Sequence, residues 1–160
     1  MSLTQPVASD HQLARLLQIG IVLEEVIEAR AGKHAAETDD ATDADLATLL
    51  QEASTESAQH RRQLEELLAD LDADTVPFEE IQTLVEAQYE ADEDFDGVLY
   101  DQLCNEETAY KFYDDLIDAI EASETGFSVD RNRLLDTLRL IRAEEAEGVE
   151  DVTELMEARL

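Results

Sequence analysis

Apolar residues recur three and four apart along almost the whole chain, and four stretches of that pattern carry glutamate, serine, histidine or glycine where the series asks for an apolar side chain. The spacing is that of helices with one buried face. Strand signals are nearly absent, with five glycines, two prolines and few clusters of β-branched residues. The chain is therefore predicted to be all-α. At 160 residues it is long enough for a real core, and residues 1–160 are read as one domain.

A first helix is predicted from Ser9-Asp10 to about Ala36, with Ser9 and Gln12 fitting a capping box. Its seam is Leu13, Leu17, Gly20, Glu24, Ile27 and Ala31, and Leu16, Ile19, Leu23 and Val26 widen the apolar face. A second helix is predicted from about Asp43 to Leu71, with the seam Leu46, Leu50, Ala53, Ser57, His60, Leu64, Leu67 and Leu71. Pro77 opens a shorter helix that ends near Ala91, with Glu79 and Glu80 favourable at its start, and this helix reads as part of a long crossover. The next helix, from roughly Asp94 to Ser123, has the seam Leu99, Gln102/Leu103, Glu106, Ala109/Tyr110, Tyr113, Leu116/Ile117 and Ile120. Gly97 falls in its first turn or marks its true start, and Thr125-Gly126 is expected to close it. Ser128 is expected to cap a last helix that reaches about Ala158, with the seam Leu134, Leu138, Ile141, Glu145, Gly148, Val152 and Leu155. Together these elements predict an antiparallel four-helix bundle with a crossover helix between its second and third helices.

A carboxylate in a leucine's place is costly unless something cationic accompanies it. Glu24, His60, Glu106 and Glu145 each fall on such a seam. Four helices that each turn a residue of this kind inward have the layout of a di-metal carboxylate bundle.

The surface carries the second strong signal. There are 41 Asp plus Glu against 11 Lys plus Arg, a formal net charge of −30 spread along the whole chain. This looks like the solvated surface of a protein from an extreme halophile, destabilised by self-repulsion in dilute buffer and relieved by salt. Disorder is the alternative for so acidic a chain, but 44% hydrophobic residues in regular helical spacing argue against it. Nucleic acid is excluded as a partner because phosphate binding needs basic patches. No apolar run approaches a transmembrane length and no signal peptide precedes the first helix, so the expected compartment is the cytoplasm. The one cysteine, Cys104, excludes an intrachain disulfide and any CxxC module within the chain.

Across nearly its whole length the pattern resembles the ferritin-like superfamily, and within it the rubrerythrin-like di-iron carboxylate proteins. Glu106-x-x-Ala109-x-x-x-Tyr113 matches the Glu-x-x-Ala-x-x-x-Tyr phrase that those proteins carry on a ligand-bearing helix. Ser57-Ala58-Gln59-His60 looks like their Glu-x-x-His phrase with serine for glutamate, and Glu145-Ala146-Glu147-Gly148 looks like the same phrase with glycine for histidine. The resemblance implies one Glu from each of two helices plus a Glu-x-x-His from each of the other two. Carried over by position, Glu24, His60, Glu106 and Glu145 remain, while the Ser57 and Gly148 positions are lost. Glu56, four residues before His60, lies on the same helix face and is a conceivable repair, and Glu52 lies one further turn away. On the last helix a water or Glu144 could fill the gap, whereas His34 lies too far along the bundle.

Three functional readings follow. The first is a non-heme iron-binding protein with metal ligands Glu24, Glu56, His60, Glu106 and Glu145, performing ferrous oxidation or peroxide reduction. Without rubredoxin-like cysteines, its electron donor would be a separate protein. The second is a degenerate scaffold without metal that acts as a structural or partner-binding bundle. The third is a single-metal or mixed-metal site holding zinc or manganese. Tyr110 and Tyr113 are expected in the core with their hydroxyls on nearby carboxylates. The wide apolar faces of the first and third long helices predict a homodimer.

Overall fold

The computed structural model describes residues 5–39, 41–90 and 97–160. Every regular element among them is helical, in the order α1 (Asp10–Glu37), α2 (Ala44–Ala69), α3 (Phe78–Glu90), α4 (Val98–Glu121) and α5 (Arg131–Ala158). No helix among the described residues is long and apolar enough to cross a membrane.

The helix ends follow from local chemistry. Ser9 caps α1 by accepting from the Gln12 amide at 3.1 Å, and the Gln12 side chain reaches back to the Ala8 amide at 2.7 Å. Asp43 caps α2 through Leu46, and Asp130 caps α5 through Arg133. Ser128 is therefore not the cap of the last helix. Its hydroxyl instead accepts from the Asp72 amide at 2.8 Å and ties the α2–α3 connection to the α4–α5 connection. Gly97 is the N-cap of α4, with φ of 105°, a left-handed conformation that favours glycine. Helix α4 ends at an ordinary right-handed Ala122, so Gly126 supplies no left-handed cap. The expected end of the short helix at Ala91 and the expected start of the next at Asp94 lie outside the described residues.

Side-chain contacts set the packing directions. Ser54 donates to the Glu28 carbonyl and His60 approaches Glu24, so α2 runs back along α1. Tyr113 reaches Glu24 and Arg30 reaches Asp101, so α4 also runs opposite to α1. Arg133 pairs with Asp70, His60 meets Glu145 and Arg159 pairs with Asp43 at 2.6 Å, so α5 opposes α2. Arg142 pairs with Asp114 at 2.8 Å and Arg139 with Glu121 at 3.2 Å, so α5 also opposes α4. Helices α2 and α4 consequently run in the same direction, and α3 lies in the long connection between them.

That connection is held to α1. Gln18 donates to the Val76 carbonyl and accepts from its amide, Arg15 donates to the Asp74 carbonyl, and Ile81 and Val85 of α3 enter the core. One continuous apolar core contains Leu13, Leu17 and Ile21 of α1, Leu64 and Leu67 of α2, Leu116, Ile117 and Ile120 of α4, and Leu134, Leu138 and Ile141 of α5. Each side chain of this size stabilises the fold by roughly 1.5–3 kcal/mol on burial. The core is strongest toward one end of the helix pack, and the polar seam residues occupy its middle.

Candidate metal centre

Glu24, His60, Glu106 and Glu145 lie near the middle of their helices, and all four are buried. The same periodicity that buries Leu17 and Ile27 on α1 buries Glu24 between them, and the α2 seam carries His60 inward between Leu50 and Leu64. Glu56, one turn before His60, is half-buried at the edge of the group.

These side chains converge. His60 Nδ1 lies 3.0 Å from Glu145 Oε1 and 3.5 Å from Glu24 Oε1, and His60 Nε2 lies 3.5 Å from Glu144 Oε2. Three overlapping triads, Glu24–His60–Glu145, Glu56–Glu106–Glu145 and Glu56–His60–Glu144, each bring three potential ligand atoms within 4.8 Å of one another. The first two share Glu145.

Neighbouring donors hold the carboxylates in place. The Tyr113 hydroxyl, fully buried, donates to Glu24 Oε1 at 2.6 Å, and Gln102 Nε2 donates to Glu106 Oε1 at 2.8 Å. Two buried atoms of the group, Glu24 Oε2 and His60 Nε2, have no hydrogen-bond partner among the described residues. Such atoms are costly in a closed core and are the lone pairs a cation would use.

The electrostatics describe a group short of positive charge. Burial pushes Glu56 up to about 7, with the charges of Glu106, Glu144 and Glu24 adding to the effect and His60 opposing it. Glu106 is raised by burial and by the charge of Glu24, against the lowering hydrogen bonds it makes. Glu145 is raised well above the usual carboxylate range by burial first, then by Glu24 and Glu106. Burial would lower the imidazole of His60, but the contact with Glu24 and the charges of Glu24, Glu56 and Glu144 outweigh it and raise the group. Burial, then the charges of Glu24 and Glu145, raise the Tyr113 hydroxyl well above its ordinary value, so it remains a donor. The group thus stays together either by retaining protons or by taking up a cation.

A cleft of about 380 Å³ opens between α2 and α5, lined by Asp45, Glu52, Glu56, Glu106, Gly148 and Asp151 among others. Gly148 makes room at its inner end for the Glu106 carboxylate. A Cβ at this position would lie 2.5 Å from Glu106 Oε2 and 2.7 Å from Glu106 Cδ, so the glutamate fills the space a side chain would need.

The structure thus gathers all five residues that the sequence singles out, Glu24, Glu56, His60, Glu106 and Glu145. Ser57 is buried on the same seam. Glu144 faces His60 Nε2 rather than the space beside Gly148. His34 lies apart, with Nε2 2.9 Å from Asp101 Oδ2, in a second, half-buried polar group with Arg30. Tyr110 departs from expectation and is exposed, because the register that buries Ala109 and Tyr113 turns it outward. Sequence reasoning passed over Gln102 as a support for Glu106, although the four-residue spacing on one helix face could have revealed it. It also passed over Asn105, whose fully buried amide has no partner for either atom among the described residues, and no sequence signal marks that position.

Comparisons with family models, with curated proteins and with solved structures each return no match.

Proposed function

We propose that this chain is a ferritin-like, rubrerythrin-like protein that binds iron at a dinuclear carboxylate centre built from Glu24, Glu56, His60, Glu106 and Glu145. The observation that carries this reading is the sharing of Glu145 by the two triads Glu24–His60–Glu145 and Glu56–Glu106–Glu145. The chain course supports it as well. Two antiparallel helix pairs, joined by a long connection that leaves α2 and α4 running in the same direction, fit a ferritin-like four-helix bundle with one crossover.

Two departures from the family's ligand pattern are accommodated by the chain itself. Glu56 supplies the carboxylate that Ser57 lacks, one residue earlier on the helix. The imidazole absent at Gly148 has no substitute, which leaves an oxygen-only donor set of Glu56, Glu106 and Glu145 in that half.

Bound iron would supply redox chemistry, ferrous oxidation or peroxide reduction. The protein's own residues bind and orient. Tyr113 fixes the rotamer of Glu24 and Gln102 fixes that of Glu106, so two ligands on different helices are held before any cation arrives. Binding requires Glu56, Glu106, Glu145 and His60 to give up their protons, and Glu56, at the cleft, passes them to solvent. With Cys104 as the single cysteine, electrons come from a separate protein.

The test is an anaerobic ferrous-iron titration of the apo protein in molar salt, with Glu106→Ala alongside. Saturable binding of about two irons per chain, reduced in the variant, supports the dinuclear centre. Binding of about one iron in the parent would leave a single-metal site, to be compared with zinc and manganese. Absence of saturable binding would leave a ferritin-like scaffold whose glutamates are satisfied by His60, Tyr113 and Gln102.

A further inference from the structure

We infer that the two positions of this centre are unequal, and that the α2–α5 cleft is the route by which a divalent cation reaches the outer, all-oxygen position before the inner one. The inference rests on the dinuclear reading and concerns how that centre fills.

The outer triad, Glu56–Glu106–Glu145, is the half that meets the cleft, because Glu56 and Glu106 both line it. The inner triad is sealed: Glu24 and His60 have no exposed surface and Glu145 is 3% exposed. A cation bound there by Glu24 and His60 would have come from Glu56 by way of Glu145, which is common to both triads, or by way of His60, which the third triad, Glu56–His60–Glu144, sets beside Glu56. The orphaned buried atom Glu24 Oε2 belongs to the inner triad and marks the end of the path, while the orphaned His60 Nε2 faces Glu144 on the other side of the ring.

The cleft suits such a passage. Asp45, Glu52 and Asp151 line it ahead of Glu56 and Glu106, and among the described residues that line it none is basic. From Asp45 to Glu56 the α2 axis rises about 16 Å, so the carboxylates form a graded series rather than one cluster. At about 30 Å³ per water, a volume near 380 Å³ accommodates a cation together with its hydration shell. Gly148 lets the Glu106 carboxylate reach the inner end of the cleft, in the space a side chain would take. Arg159, at the outer end of the α2–α5 pair, is bound to Asp43 at 2.6 Å.

Donor chemistry then separates the positions. Three carboxylates suit hard, oxygen-preferring cations such as manganese that exchange readily with water, while the imidazole of the inner set favours retention of iron or zinc.

The experiment follows Mn²⁺ uptake by the full-length apo protein, read as loss of the aqua ion's EPR signal at fixed ionic strength. Glu52→Gln with Asp151→Asn is compared with Glu147→Gln with Glu150→Gln, which removes the same charge from exposed α5 positions outside the cleft. Uptake is expected to slow on the order of tenfold in the first pair only, with unchanged stoichiometry. Equal uptake rates in the two pairs, with normal final binding, would overturn the route and leave the metal reading standing. Absence of Mn²⁺ binding by the parent chain would overturn both. In Glu106→Gln the Mn²⁺ that remains bound is expected to show imidazole nitrogen coupling in pulsed EPR, and its absence would overturn the assignment of the inner position.

Discussion

Glu106 and Gly148 occupy one space: a Cβ on residue 148 would sit 2.5 Å from Glu106 Oε2, so the carboxylate of α4 lies where α5 would otherwise place a side chain. The position at which the family resemblance implies a histidine is therefore matched to a particular placement of the glutamate across from it.

Gly148→Ala separates binding from stability. Alanine in a helix interior gains about 1 kcal/mol over glycine. Against this, the end of the Glu106 side chain, 2.5 Å from the new Cβ, must shift, which strains its hydrogen bond from Gln102. Chemical denaturation is expected to show a net change within about 1 kcal/mol, while ferrous-iron stoichiometry falls from about two to about one. Unchanged binding would show that Glu106 is not a ligand.

Tyr113→Phe removes the donor held 2.6 Å from Glu24 Oε1. Both partners are fully buried, so no water replaces the hydroxyl. Urea unfolding of the apo protein is expected to show a loss of about 1–3 kcal/mol. Saturating ferrous iron is expected to shrink that loss, because the metal takes over the orphaned carboxylate oxygen. A loss of the same size with and without iron would separate Glu24 from the metal.

The apo protein is expected to lose stability as pH rises through neutrality. Glu56 at about 7, and Glu106 and Glu145 raised in the same direction, hold protons in the folded state that the unfolded chain gives up near its ordinary value of 4.5. Their contribution is fully present below that unfolded value and declines as pH climbs toward the raised folded values. His60, also raised, acts with the same sign: its contribution is present below 6.5 and is lost as pH climbs through its raised folded value. Melting temperature measured from pH 5 to 8 should fall without metal. With ferrous iron or Mn²⁺ the slope should reverse, because a cation displaces the same protons.

Salt should stabilise the fold. A net charge of −30 on 160 residues repels itself at low ionic strength, and surface pairs such as Lys111–Asp115 are too few and too exposed to offset it. At 1 M salt the Debye length is about 3 Å, short enough to screen most of that repulsion. The melting temperature is expected to rise between 0.1 M and 2 M sodium chloride. A fall over that range would contradict the halophilic reading of the surface.

Much of the architecture was legible because helix burial repeats with a short period. The seams Leu13–Leu17–Gly20–Glu24–Ile27–Ala31 and Leu134–Leu138–Ile141–Glu145 read directly onto the buried faces of α1 and α5, since a residue's face depends only on its register within its own helix. Ends were less legible. Ser128 has the chemistry of a cap, and so does Asp130 two residues later, and the choice between them was made by the Asp72 amide that Ser128 receives from another loop. Tyr110 and Tyr113 are both aromatic and three apart, and only the rotation of α4 against its neighbours decided that the first faces water and the second faces Glu24.

What the sequence determined by itself is that Glu24, Ser57, His60, Glu106 and Glu145 face inward, and which helices carry them, because periodicity is a local property, whereas buried Gln18, Asp101 and Asn105 were not legible in it. What only the tertiary structure decided is how these residues divide: that Glu145 lies between two triads, that Glu56 joins the half facing the cleft, that Gly148 makes room for Glu106, and that His34 belongs to Asp101 instead. Those relations depend on the stagger and rotation of one helix against another. They are set by the packing of the whole core, and no single segment encodes them.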